Sequence, residues 1–407
     1  MSKIIERDVI VVGAGPGGAA CAGYLAKDGI DVLLLDKEKF PRDKPCGEGQ
    51  SHETYLHYQL LGCYDEYMSI MHPLAGLDFY GPSGQQARLE IVEGVCPRRA
   101  LDTLVRNQAE KLGAEVIEDC WVYDLIKEDG QVKGVKAKID GEYVELRSKI
   151  VIGADGAHSM VAKKAGMYFD GDGDDMSIAV VQRCHYSGVT GLTDAIELFF
   201  DPQIVPGYVW IFPYEKHQKG FCNVGIGYYR KQYESAKMDE LLKIWLNRPD
   251  IKERFRNAKQ VTPMQGWRIP NDYLQRHTYG DGVMLIGDAA GQNTPASGEG
   301  ISLAMNAGFY AYVAAKEALK KNDFTKATLK IYDDFIQKWH TPYYKTMRGM
   351  LDGMTTPEQT NALMDQLVAS KELRDQVGYL FSGGNSADGI REYLGMKTGK
   401  DAFDWHR

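Results

Sequence analysis

Gly13-Ala14-Gly15-Pro16-Gly17-Gly18 places glycines at 13, 15 and 18. At that spacing the first turns the chain tightly, the second lets backbone approach a pyrophosphate, and the third lets a helix pack on a strand. The helix that follows turns its free amides and the positive end of its dipole toward the phosphates, Pro16 among its first residues. Asp36 ends the next apolar run, with Lys37 beside it. A carboxylate there grips the adenosine ribose hydroxyls, so the chemistry is that of a dinucleotide.

Gly287-Asp288-Ala289-Ala290 follows the late apolar run Val283–Ile286. Asp288 is placed to bind ribityl hydroxyls, which selects FAD over NAD. Gly298-Glu299-Gly300 then opens a helix at Ile301 whose amides face the flavin pyrimidine, where a reduced flavin carries negative charge. Cys46 lies in the tight loop Pro45-Cys46-Gly47-Glu48-Gly49. It is either a group that orients or protonates substrate or a small buried hydrophobe. Tyr208, Trp210 and Phe212 alternate onto one strand face. They wall a tunnel for an apolar chain or fill a core.

The elements that must position these residues follow from the apolar pattern. Val9–Val12 and Val32–Leu35 are buried-strand runs flanking a small-residue helix that Gly29 stops, one βαβ unit of a doubly wound sheet. Residues 98–112 carry a helical apolar face in Leu101, Leu104, Val105, Ala109 and Leu112. Asp-Gly turns at 129–130 and 140–141 mark a meander reaching Lys149, before a separate buried strand at 150–152. Alternation from 175 to 230 predicts an antiparallel sheet, 236–258 and the last 80 residues predict helices, and a long small-residue helix runs from about 298 to 320.

Of 407 residues 44 are glycine, about 11% against a usual 7%. Net charge is -8, with no block of Lys or Arg, which excludes a nucleic-acid partner. Seven scattered cysteines without a CxxC pair argue against zinc or an iron–sulfur centre, predict no metal, and fit a reducing, cytoplasmic setting. The uncharged run Val9–Ala26 has five glycines and Pro16; it reads as strand, turn and helix rather than a membrane span.

Ala154-Asp155-Gly156-Ala157-His158-Ser159 completes a series: GxGxxG, Asp-Gly and Gly-Asp in that order. The chain thereby resembles the para-hydroxybenzoate-hydroxylase-like FAD superfamily, with Asp36 where many members have Glu. The resemblance implies that Asp155 and Gly156 bind cofactor. It also implies that Arg99, in the basic helix start Arg98–Asp102, lies near the FAD phosphates or ribityl chain, with Arg98 an equally basic neighbour. Tyr208-Val209-Trp210-Ile211-Phe212-Pro213, followed after eleven residues by Gly225-Ile226-Gly227, is similar to the signature of the geranylgeranyl reductase family. The Cys46 loop and Pro295–Gly300 belong to the same likeness, which spans about residues 6 to 310.

That resemblance implies an α/β fold: a Rossmann-like FAD-binding domain in three parts (1–74, 96–170 and 271–325) and an inserted antiparallel-sheet substrate domain (75–95 and 171–270). A helical region (326–407) completes it. The implied flavoprotein oxidoreductase of isoprenoid lipid metabolism reduces isolated double bonds of a polyprenyl lipid with hydride from reduced FAD. NAD(P)H or a ferredoxin-type protein donor supplies its electrons. Cys46, Tyr208 and Trp210 are the expected catalytic residues, and Cys46, Tyr208, Trp210, Phe212 and Gly225 the expected substrate contacts; Cys46 and Gly47 also join the cofactor set. Cys46, Tyr208 or an ordered water is left as proton donor, with Glu48 and His52 as further donors. The runner-up is an FAD monooxygenase acting on an aromatic or lipid; a halogenase and a non-enzymatic flavin sensor or lipid carrier are weaker. A lipid substrate without a spanning segment predicts peripheral membrane contact, although the aromatic face around Trp339–Met350 reads foremost as packed core. The tail is read as peripheral, so removing 385–407 is expected to leave FAD bound.

Overall fold

The computed structural model describes residues 5–91, 93–169, 176–216, 218–229 and 238–399. The expected domain boundary at 170 and the residues from 400 onward lie outside that set. Short apolar runs pair in parallel in the order Val283–Leu285, Glu142–Gly153, Ile5–Val12, Val32–Leu35, Glu115–Ile117. Such strands are continuously apolar because both faces are covered. On one face the helices Pro16–Lys27 and Ile301–Lys321 cross closely: a Cβ at Gly17 would lie 2.7 Å from the Ala304 carbonyl oxygen, and one at Gly308 would lie 2.6 Å from that of Gly17. Small residues are what let the two backbones approach.

The meander Cys120–Glu128, Gln131–Ile139 and Glu142–Gly153 covers the other face. Its turns hold Asp129-Gly130 and Asp140-Gly141 at positive φ, the hairpin geometry those pairs favour. One detail departs from expectation. The meander's last strand and the buried strand at 150–152 are a single 12-residue strand, in which Leu146 pairs with both Val135 and Ile5.

The second sheet is mainly antiparallel, with Ile178–Ser187, Cys222–Tyr229, Tyr208–Pro213 and Ala195–Phe199 adjacent in that order. The hairpin Gly76–Tyr80/Gln86–Leu89 joins its edge through a parallel pairing with Ala195–Phe199. Gly49–Gln50, Glu93–Val95 and His72–Leu74 form a small third sheet between the two. The architecture is the expected α/β class: a Rossmann-type sheet, a second sheet, and helices following Lys321.

The tail corrects one expectation. Ala387 and Ile390 belong to the same apolar core as Phe309 and Tyr310, Asn306 Nδ2 donates to Ser386 Oγ at 3.3 Å, and Arg391 pairs with buried Glu53 at 2.8 Å. The tail as far as Arg391 is therefore packed into the core rather than peripheral, because it rests against the helix Ile301–Lys321, whose first residues line a cavity. Tyr343 and Met347 are buried in the second core, as the packed-core reading expects. Among the described residues no helix is long and apolar enough to cross a membrane.

Candidate functional site: a cofactor cradle opening into an aromatic cavity

The three fingerprint glycines have different neighbours. Gly13 sits at φ +104°, and a Cβ there would lie 2.3 Å from the Ala154 carbonyl oxygen. A Cβ on Gly18 would lie 1.9 Å from that of Gly13. Above Gly15 the nearest group is Arg42 Nη2, 3.8 Å away. Gly18 thus lets the motif pack on itself, Gly13 lets it pack on the backbone at Ala154, and Gly15 leaves space over a helix terminus that, among the described residues, no side chain caps. That cradle fits a pyrophosphate. Asp36 closes it, accepting from the Ala14 and Glu38 amides at 2.7 and 2.9 Å; burial pushes its carboxyl above the usual range.

From Pro16 a cavity runs toward the second sheet, with about 1390 Å³ of atom-free space counting its open mouth. Asp288 lies on its wall, ion-paired to Lys44 at 3.0 Å and accepting from Asn293 Nδ2 at 3.1 Å. Burial alone would raise its carboxyl, but Lys44 and Asn293 hold it below the ordinary value. This charged, hydrogen-bonding edge suits a polyhydroxy chain. Gly298, at φ +68°, faces the Tyr208 hydroxyl, and Gly300 leaves room for Asn293, whose Oδ1 a Cβ would approach to 1.8 Å. Glu299 accepts from the Ser302 amide and hydroxyl at 2.7 and 2.8 Å. One amide at the start of the Ile301–Lys321 helix is therefore already satisfied.

The Cys46 loop is fastened by charge along its length. Arg42 pairs with Asp102 at 2.8 Å, Asp43 with buried Arg183 at 2.6 Å, and Lys44 with Asp288. Glu48 is held at φ +71°, accepting from Asn223 Nδ2 at 3.1 Å and meeting His185 Nε2 at 3.0 Å. A non-glycine residue in that region carries strain, and these contacts hold it there. Asn223 also donates to the Cys46 carbonyl at 2.8 Å and accepts from Trp210 Nε1 at 2.9 Å, so loop and aromatic strand share one network. Cys46 Sγ accepts the Glu48 amide at 3.2 Å.

Tyr208, Trp210 and Phe212 line the cavity together, neighbouring ring centroids 6.1 Å apart. The glycines beside them make the room. A Cβ on Gly47 would lie 2.7 Å from Phe212 Cε2, and one on Gly225 only 2.0 Å from Trp210 Cζ2. The Tyr208 hydroxyl donates to the Ser297 carbonyl, and burial pushes its pKa up.

The structure thus brings Pro16, Cys46, Gly47, Tyr208, Trp210, Phe212, Asp288, Gly298, Gly300 and Ile301 to one cavity. Lys37 and Arg99 are exposed. Of the two neighbouring arginines it is Arg98 that lines the cavity, buried and bidentate to Asp102 at 2.7 and 2.8 Å. Asp155 turns its carboxylate into its own helix, accepting from Ser159 Oγ, Met160 N and Val161 N. It lies off the cavity wall, as do Gly156, Gly225 and the cradle residues Gly13, Gly15, Gly18 and Asp36; of the fingerprint motif only Pro16 reaches the wall. Sequence reasoning did not single out Lys44, Glu93, His185 or Asn223. Lys44 sits two residues before Cys46 in a loop the sequence marks; the others carry no motif.

A family described as FAD binding domain matches residues 6–332. The chain is 31% identical over 383 residues, 91% of its length and 92% of the relative's, to digeranylgeranylglycerophospholipid reductase 2 of Methanopyrus kandleri. Among solved structures, a geranylgeranyl bacteriochlorophyll reductase-like protein of Thermoplasma acidophilum superposes with a TM-score of 0.76 at 25% identity, covering 96% of each chain. A flavin-dependent brominase superposes with a TM-score of 0.79 at 22% identity, covering 96% of this chain and 98% of its own, a likeness of fold alone.

Proposed function

Because the chain belongs to the FAD binding domain family and to that of the digeranylgeranylglycerophospholipid reductases, we propose that it saturates isolated carbon–carbon double bonds in the polyprenyl chains of a lipid. The observation that carries the reading is one cavity that begins at Pro16, next to the dinucleotide cradle, with a ribityl-binding edge of Lys44, Asp288 and Asn293 and with three aromatic rings on its wall. Bound FAD, once reduced, supplies a hydride to one alkene carbon. Lys44, Asp288 and Asn293 would hold the ribityl chain, and Asp36 would hold the adenosine ribose. Tyr208, Trp210 and Phe212 exclude water and lay the alkene along the cofactor, since an isolated double bond offers no carbonyl to grip. The face of Trp210 stabilises cationic character that develops as the bond is protonated. Cys46 orients the chain from the opposite loop.

NAD(P)H or a ferredoxin-type donor reduces the FAD, and the lipid is met at a membrane surface. The division into a three-part FAD domain and an inserted substrate domain is the organisation this reading requires. The test is anaerobic: reduce the holoenzyme with dithionite, add a digeranylgeranylglycerophospholipid, and follow flavin absorbance. Reoxidation with a product two mass units heavier per bond supports the reductase. Reoxidation only once air is admitted, with oxygen inserted into substrate, moves the activity to a monooxygenase.

A further inference from the structure

Protonation of the second alkene carbon needs an acid, and hydrogen-bond accounting around the cavity narrows the choice. Tyr208 spends its proton on the Ser297 carbonyl. Cys46 accepts the Glu48 amide at its sulfur, and a thiol is in general a weaker acid than a carboxylic acid. Asp288 is paired with Lys44, Glu48 is engaged by His185 and Asn223, and Glu299 accepts from Ser302. One carboxyl on the wall has no such engagement. Glu93 is 6% exposed, lines the cavity, and makes no side-chain hydrogen bond or ion pair among the described residues.

Its position follows from the small third sheet. Glu93 lies on the strand that pairs Val95 with Gly49 and Gly94 with Gln50, so the continuation of the Cys46 loop fixes it. Alternation puts Glu93 and Val95 on one face, and Val95 belongs to the apolar cluster that holds Trp210. We infer that Glu93 is the acid that protonates the alkene, an assignment that rests on the reductase reading above. An unpaired carboxylate in such surroundings is costly, so the group stays neutral. The ionisable groups that interact electrostatically with it are Glu299, Tyr55 and Tyr343, none of them a cation, and burial followed by Glu299 pushes its carboxyl well above the usual range.

The step balances. The π pair of the alkene takes the Glu93 proton to form one C–H bond and leaves a carboxylate; the other carbon takes the hydride and its electron pair from reduced FAD; Glu93 is then reprotonated from solvent. The decisive variant is Glu93→Gln, which keeps shape and removes the proton. Two readouts are made on flavin-loaded protein: infrared spectroscopy of the oxidised resting state, and anaerobic reoxidation of the dithionite-reduced state by a digeranylgeranylglycerophospholipid.

The expected result is a protonated carboxyl band present in the unsubstituted protein and missing in E93Q, with reoxidation slowed at least about 100-fold. E93D should retain a protonated band and recover part of the rate. Glu93 is overturned as the acid if E93Q reacts within about threefold of the unsubstituted protein, or if no band is lost. It is equally overturned if E93D keeps its acid and FAD yet is as slow as E93Q, a result that would mark a shape effect. Should E93Q fail to hold FAD, the same comparison of E93D with the unsubstituted protein decides. Failure of the unsubstituted protein itself to be reoxidised by lipid would instead sink the reductase reading, and the assignment with it.

Discussion

In the cradle beside the cavity Gly13, Gly15 and Gly18 serve by lacking a side chain, and on the cavity wall Tyr208, Trp210 and Phe212 serve by the size of theirs. The cradle is one continuous turn whose tolerances are set by backbone atoms a few residues away or on the adjoining strand. The far wall comes from the second sheet, the Cys46 loop and the small third sheet, tied through Asn223 and Glu48. Local backbone geometry tolerates almost no substitution. An assembled wall fails by degrees, because each ring is one contributor among several.

The largest effect that would break this contrast lies in the cradle itself. Gly18→Val drives side-chain atoms into the Gly13 carbonyl and is expected to abolish the folded flavoprotein. Gly15→Val meets only the Arg42 side chain, so it should fold normally yet hold no FAD. Thermal melting and flavin absorbance of the two purified variants separate these outcomes.

Asp288→Asn leaves partly buried Lys44 without its counter-charge. The variant also removes the charged acceptor for the ribityl hydroxyls, so the expected cost to FAD binding is about 1.5–3 kcal/mol, the worth of a hydrogen bond to a charged group, read by flavin titration. If FAD affinity is unchanged, Asp288 is a packing residue and the cradle end is backbone alone.

Acid sharpens the comparison differently. Burial holds His57 and His340 neutral, with pKa lowered to about 4 and about 3. His57 meets Asn306, and His340 lies beside Tyr310, both on the helix that opens at the cofactor site. Both groups bind protons more readily when unfolded, so stability is fully present above about pH 6.5. It falls below that by up to about 1.4 kcal/mol per pH unit for each. Melting temperature and flavin retention should drop together between pH 6.5 and 4, and H340Q should flatten the slope; an unchanged slope would show that His340 does not contribute.

The wall variants come last. Cys46→Ala should retain flavin while slowing lipid reduction about tenfold or changing how many bonds are reduced; an unaltered rate and product pattern would make it a small buried hydrophobe. Trp210→Phe keeps the ring but drops the hydrogen bond to Asn223, worth about 1 kcal/mol. It should shift melting slightly and leave FAD binding untouched.

The fold class and the cradle were readable because their determinants are local. Val9–Val12, the three glycines and the Asp-Gly turns each constrain the chain within a few residues of themselves. Arg98 and Arg99 show where that reading stops. Both are basic neighbours at one helix start, and only the helix's rotation buries Arg98 on the cavity and leaves Arg99 in solvent. The tail was misread for the same reason: nothing between 385 and 399 announces that Arg391 will reach Glu53.

By itself the sequence determined that a dinucleotide-binding βαβ unit begins this chain, that further FAD motifs recur in order, and that three rings share a strand face. Spacing and alternation are properties of the covalent chain, so they survive without a partner. Only the tertiary structure decided what those rings face, which arginine enters the cavity, and that Glu93 stands on its wall without a side-chain hydrogen bond among the described residues. Those properties belong to the space between elements far apart in the chain. A buried carboxyl's chemistry is set by the donors its neighbours fail to supply, which no local pattern records.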